Sequence, residues 1–123
     1  MTLERDFPNL PKSVPMARQF AAQAVADQPT EIGDVICAIV SELATNCIRH
    51  AGTGFKVRVE QDPGSIRIEC EDVGNGDPVL KSPDVTETSG RGLQIVAALA
   101  DHWGVVHGQG GFGKVVWATV GLA

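Results

Sequence analysis

The sequence predicts an α+β sandwich: a mixed, mostly antiparallel sheet covered on one face by helices. Three observations carry this. "FKVRVE" (Phe55 to Glu60) and "IRIECED" (Ile66 to Asp72) alternate apolar and polar residues with a period of two, as half-buried strands do. Two segments of helical spacing precede them. A third helical segment and two more strand-like runs follow, so helices and hairpins alternate along the chain.

The elements follow in order. Residues 3–14 carry Leu3, Phe7, Leu10 and Val14 with Pro8 and Pro11, which fits a short edge strand and turns better than a helix. "MARQFAAQAVA", Met16 to Ala26, is rich in helix formers and is stopped by Asp27, Gln28 and Pro29. Thr30 with Glu31 opens a second helix that runs to about Ala51, where Gly52 supplies a left-handed stop. Asp62, Pro63, Gly64 and Ser65 are turn residues, so the two alternating runs form an antiparallel hairpin with one wet face. "GNGDPVLKSPDVTETSG" has no period and is too polar for a core element, and a loop of this length in a small domain is commonly functional. "RGLQIVAALADHWG" regains helical spacing through Leu93, Val96, Ala97 and Ala100, and "WGVVHG" and "GKVVWATV" read as the last strands.

Composition bounds the class. With 123 residues, 43% of them hydrophobic, the chain fits one domain over residues 1–123. A net charge of −5 without a basic block argues against nucleic acid or an anionic membrane as the main partner. No apolar run approaches the roughly 20 residues that span a bilayer, and "MTLERDFPNLPKSVP" lacks the apolar stretch of a secretory signal, so the expected location is the cytoplasm. Cys37, Cys47 and Cys70 form no C-x-x-C pair and sit among apolar residues, which suggests small core residues.

Three features do not fit a plain core. The second helix carries Glu42, Asn46 and His50 on consecutive turns, and a projection at about 100° per residue sets Asn46 and His50 within the apolar arc of Val35, Ile39, Leu43 and Cys47, with Glu42 at its edge. A polar group facing a sheet needs partners or costs roughly 1 to 3 kcal/mol. One such group is readily a satisfied core residue, whereas an acid, an amide and an imidazole in line resemble the wall of a polar ligand pocket. Asp72 shares the parity of Ile66, Ile68 and Cys70 and should point inward, with Gly74 and Gly76 offering bare backbone after it. Ser89, Gly90 and Arg91 open a helix whose first amides suit phosphate oxygens. Taken singly, the last two features are equally an Asp/Gly turn and a glycine-flexed helix start.

In combination, E-x-x-x-N-x-x-x-H on a helix, D-x-G-x-G after a strand and G-x-G-L before a helix resemble the N-box, G1-box and G2-box of the GHKL, or Bergerat-fold, histidine-kinase-like ATPase superfamily. Within it, "VSELATNCIRHAG", "GFGKVVWATV" and the small size resemble the anti-sigma factor serine/threonine kinases, from Pro15 onward. The resemblance implies that Asn46 ligates a magnesium ion shared with the ATP phosphates and that Glu42 is the general base for the attacking hydroxyl. It implies that Asp72 accepts a hydrogen bond from the adenine amino group, that Gly74 and Gly76 lie against the base, and that His50 belongs to the ATP-binding set. Ser89, Gly90, Arg91, Gly92 and Leu93 would close on the phosphates, with residues 77–89 as the ATP lid. The implied partners are a serine-bearing anti-anti-sigma protein of the STAS type and a sigma factor, held by a homodimer, and Arg18 resembles a first-helix arginine that contacts them.

One departure is Val115. Relatives carry a hydroxyl residue after the lysine of the last strand, near the adenine and the aspartate, and its loss is expected to weaken nucleotide binding by roughly 0.5 to 1.5 kcal/mol. Rival classes are a non-catalytic ATP-binding module that sequesters a regulator, and a structural domain that binds nothing. A sensor histidine kinase needs an upstream phosphoacceptor helix pair that residues 1–14 do not supply.

Overall fold

The computed structural model describes residues 1–50, 52–72, 93–107 and 113–122, His50 by its backbone alone. The elements run β1 (Thr2–Phe7), α1 (Ser13–Ala24), α2 (Thr30–His50), β2 (Phe55–Asp62), β3 (Ser65–Asp72), helical residues 93–99, β4 (His102–His107) and β5 (Lys114–Gly121). The strands form one sheet in the order β1-β2-β3-β5-β4. β2/β3 and β4/β5 are consecutive strands, whereas β1/β2 and β3/β5 pair across longer connections, and the expected mixed, mostly antiparallel sheet is antiparallel in every described pairing.

β1 is the edge strand that the first residues suggest, and α1 starts at Ser13, three residues earlier than its composition indicates. Pro15 then falls in the first turn, where its missing N–H costs nothing. The hydroxyl of Ser13 donates to the Pro8 carbonyl at 2.7 Å, which satisfies a buried group at the entry to α1. Past the end of α2, Gly52 adopts φ 70°, the left-handed stop expected there. Asn9 reinforces this end: its side-chain amide donates to the Ile48 carbonyl at 3.4 Å and to the Thr53 carbonyl at 3.0 Å. Ile48 lies in the last turn, where carbonyls lack helical partners, so the bond ties the end of α2 to the first loop.

The sheet has two unlike faces. Phe55, Val57 and Val59 of β2, Ile66, Ile68 and Cys70 of β3, and Val116, Ala118 and Val120 of β5 are buried on the helix side. Against them pack Ile36, Ile39, Val40, Leu43, Ala44 and Cys47 of α2, Phe20 of α1 and Val96 of the later helix. Each fully buried side chain of this size is worth about 1.5 to 3 kcal/mol. The arc of α2 is turned slightly from the projection, since Val35 is only half-buried. Cys47 of α2 meets Cys70 of β3, Sγ to Sγ 3.0 Å, as two free thiols. The third cysteine, Cys37, is half-buried and donates to the Arg18 carbonyl at 3.8 Å.

The other face is wet and charged. Arg58 bonds Glu4 at 3.0 Å and Glu71 at 3.3 Å, and also Glu69, so one guanidinium stitches β1, β2 and β3 together. Arg67 bonds Glu69 at 2.8 Å and lies 4.5 Å from the Trp117 ring centroid. Partial burial works against the Glu69 carboxylate, but Arg67 and Arg58 outweigh it and hold its carboxyl below the usual range. Helical residues 93–99 end before Trp103, which lies in β4.

Two glycines give opposite expectations. A Cβ on Gly54 would stand 2.8 Å from the Phe7 carbonyl oxygen, whereas one on Gly33 of α2 meets nothing within 4 Å. Gly54→Ala is expected to lower stability in urea unfolding by about 1 to 3 kcal/mol. Gly33→Ala should raise it by about 0.5 to 1 kcal/mol. The packing of α2 on β3 is checked by thiol labelling. A water-soluble disulfide reagent should modify Cys37 in the native protein, and Cys47 and Cys70 only on unfolding; three fast thiols would contradict the packing.

Candidate functional site

Among the described residues, the buried polar or charged side chains are Ser13, Asn46 and Asp72. Ser13 is accounted for by the Pro8 carbonyl. Asn46 and Asp72 are 8% and 4% exposed, and both stand out in the sequence for polar chemistry on an apolar face. Two different elements bring them to one end of the sheet. Asn46 precedes Cys47, with consecutive Cα atoms about 3.8 Å apart, and Asp72 lies two residues beyond Cys70, roughly 7 Å along the strand. The contact between those cysteines therefore sets the amide of α2 and the carboxylate of β3 in one neighbourhood.

The pleat delivers Asp72 inward. Burial along β3 alternates strictly from Ser65, half-buried, to Asp72, buried, so the carboxylate continues the row of Ile66, Ile68 and Cys70. Pairing then places Phe55 of β2 and Lys114 of β5 directly opposite Asp72, with Phe7 opposite Phe55 and His107 opposite Lys114. Directly opposed residues share a face, so one row crosses five strands on the helix side at this end. Its β1 end is apolar: Phe7 stacks on Phe55 at 5.6 Å and meets Phe20 edge-on at 6.2 Å. The rest is polar, and the Lys114 backbone N–H donates to Asp72 Oδ1 at 3.2 Å.

Glu42 lies one turn before Asn46 on α2 and is half-buried, at the edge of the arc as projected. No salt bridge among the described residues engages its carboxylate. Its neighbour Ser41 accepts a hydrogen bond from the Arg18 guanidinium at 3.0 Å, and the Ser41 carbonyl accepts one from Thr45 at 2.7 Å. Arg18 is exposed on α1 and reaches across to α2, one residue from Glu42. Leu93 packs half-buried against the core. Gly74, Gly76, Ser89, Gly90, Arg91 and Gly92, the lid of residues 77–89 and the side chain of His50 lie outside the described residues.

The register corrects the reading of Val115. It stands opposite Glu71 and Val106, on the wet face, turned away from Asp72. The β5 residue that shares the face of Asp72 is Lys114. Sequence reasoning passed over it because a lone strand-end lysine looks like a solvated charge. The signal was parity: Lys114 falls in step with Val116, Ala118 and Val120, as Asp72 does with Cys70.

No cluster of three or more His, Cys, Asp or Glu that would hold a metal alone occurs among the described residues. No helix among the described residues is long and apolar enough to cross a membrane. A search of the curated proteins finds no match. The family model of the histidine kinase-like ATPase domain matches residues 7–120, from the last residue of β1 almost to the end of β5. That match spans the helices, the central hairpin and the row through Asp72, and the chain belongs to the histidine kinase-like ATPase domain family.

Proposed function

We propose that this protein is an ATP-dependent anti-sigma factor kinase that phosphorylates a serine of a STAS-type anti-anti-sigma partner and so controls a sigma factor. Family membership supports ATP binding and GHKL-type ATPase or kinase chemistry. The observation that carries the reading to particular residues is that a buried carboxylate, Asp72, and a buried amide, Asn46, stand on elements joined nearby by the Cys47–Cys70 contact. A carboxylate buried at 4% exposure is costly unless it meets donors, and the adenine amino group is such a donor.

Each residue then has a task. Asp72 accepts from the adenine amino group and fixes the base. The Asn46 oxygen supplies the one protein ligand of a magnesium ion, which when bound neutralises phosphate charge. Half-exposed Glu42 accepts the proton of the serine hydroxyl as its oxygen bonds to the γ-phosphorus and the bond to the ADP oxygen breaks. Arg18, bonded to Ser41 beside Glu42, lies where an incoming protein would approach that carboxylate. A homodimer on the pattern of the resembled kinases completes the proposal.

The rival reading is a module that binds ATP and sequesters a regulator without phosphoryl transfer. Titration of Mg-ATP against the wild type and Asp72→Asn, followed by labelled-ATP incubation with an anti-anti-sigma protein, tests both. Asn retains an oxygen for the Lys114 N–H, so Asp72→Asn should fold normally while losing roughly 1.5 to 3 kcal/mol of ATP affinity. Label should reach a partner serine with the wild type and fail to do so with Glu42→Ala. ATP binding without transfer supports the module, and undiminished ATP affinity in Asp72→Asn would remove Asp72 from the site.

A further inference from the structure

Lys114 has an unusual position for a strand-end lysine. It opposes Asp72 directly in the β3/β5 register, and its own N–H is bonded to that carboxylate. Alternation along β5 turns its side chain to the helix side, in line with buried Val116, and the residue is half-buried. Gly113 before it is buried and takes φ 70°, a conformation that side-chain-bearing residues rarely adopt, so the backbone entering β5 is set at this point. No salt bridge among the described residues closes Lys114 onto Asp72.

A carboxylate and an ammonium from directly opposed residues, with Cβ atoms about 4.5 to 5.5 Å apart, form an acceptor and a donor side by side. The Watson–Crick edge of adenine carries the complementary pair on neighbouring atoms, the amino group as donor and N1 as acceptor. Lysine carries three donors and no acceptor, so of these two atoms it can bond only N1. Building on the assignment of Asp72 to the adenine amino group, we propose that Lys114 is the second half of the base reader and donates to adenine N1. The base would then be recognised by two opposed strand residues, one for each atom of that edge, and Lys114 sets base specificity while taking no part in phosphoryl transfer.

The test uses ATP, 1-deaza-ATP, which lacks the N1 acceptor, and purine riboside triphosphate, which lacks the amino group. Affinities are measured on the wild type, Lys114→Met and Lys114→Arg, with melting curves to confirm that each folds. The wild type should bind 1-deaza-ATP roughly tenfold more weakly than ATP. In Lys114→Met that preference should vanish through weaker ATP binding, and Lys114→Arg should restore it. Purine riboside triphosphate should remain disfavoured in all three, since Asp72 is intact. Equal wild-type affinity for ATP and 1-deaza-ATP overturns the proposal while leaving ATP binding standing. So does a preference that survives in Lys114→Met, which would place the lysine on the phosphates or in solvent. Failure of the wild type to bind ATP overturns both this proposal and the assignment of Asp72.

Discussion

The register of β3 against β5 is the constraint on which the other features depend. Side chains alternate along a strand, so a slip of one residue would turn Ile66, Ile68, Cys70 and Asp72 to the wet face and bring Arg67, Glu69 and Glu71 into the core. Neither outcome is tolerable, because three charged groups would lose water and three apolar ones would gain it. The pattern that builds the core therefore also aims a carboxylate at the helix layer. Asp72 is held inward by the apolar residues that precede it, so its position is a by-product of core formation.

The two faces of the sheet divide the labour. On the wet face, the guanidiniums of Arg58 and Arg67 share Glu4, Glu69 and Glu71, and Arg67 covers Trp117, so charges there are satisfied close to solvent. On the helix side, β3 and β5 supply only apolar residues apart from the row of Asp72 and Lys114. That contrast makes Asn46 and Asp72 informative, since buried polar groups in a layer of Ile, Val, Leu and Cys need a reason to be there. The contact between Cys47 and Cys70 sets the distance between the elements that carry them. The Asn9 amide, bonded to the carbonyls of Ile48 and Thr53, holds the same end of α2 from the other side.

Much of this was legible in the residues themselves. Alternation in "FKVRVE" and "IRIECED" fixed both strands and the inward parity of Asp72, because the period of a half-buried strand is a local property. The polar line on α2 was likewise visible, since a helical projection needs no tertiary information. Three things were not. The start of α1 at Ser13 depends on a bond to the Pro8 carbonyl, which composition does not announce. The strictly antiparallel pairing depends on which hairpins dock side by side. The residue that Val115 opposes depends on a register between positions more than 40 apart in sequence, although parity along β5 already sets Val115 on the face away from Val116. That register turns Val115 away from Asp72 and sets Lys114 directly opposite it.

The central claim is that Mg-ATP binds at the sheet end marked by Asn46, Asp72 and Lys114. Mapping backbone amide chemical shifts during an Mg-ATP titration tests it most directly. Shifts are expected at Asn46, Cys47, Asp72, Gly113 and Lys114, while Gln61, Ser65, Val120 and Gly121 at the opposite end stay in place. Perturbations concentrated at Gln61, Ser65 and Gly121, or on the wet face around Arg58 and Trp117, would contradict the account.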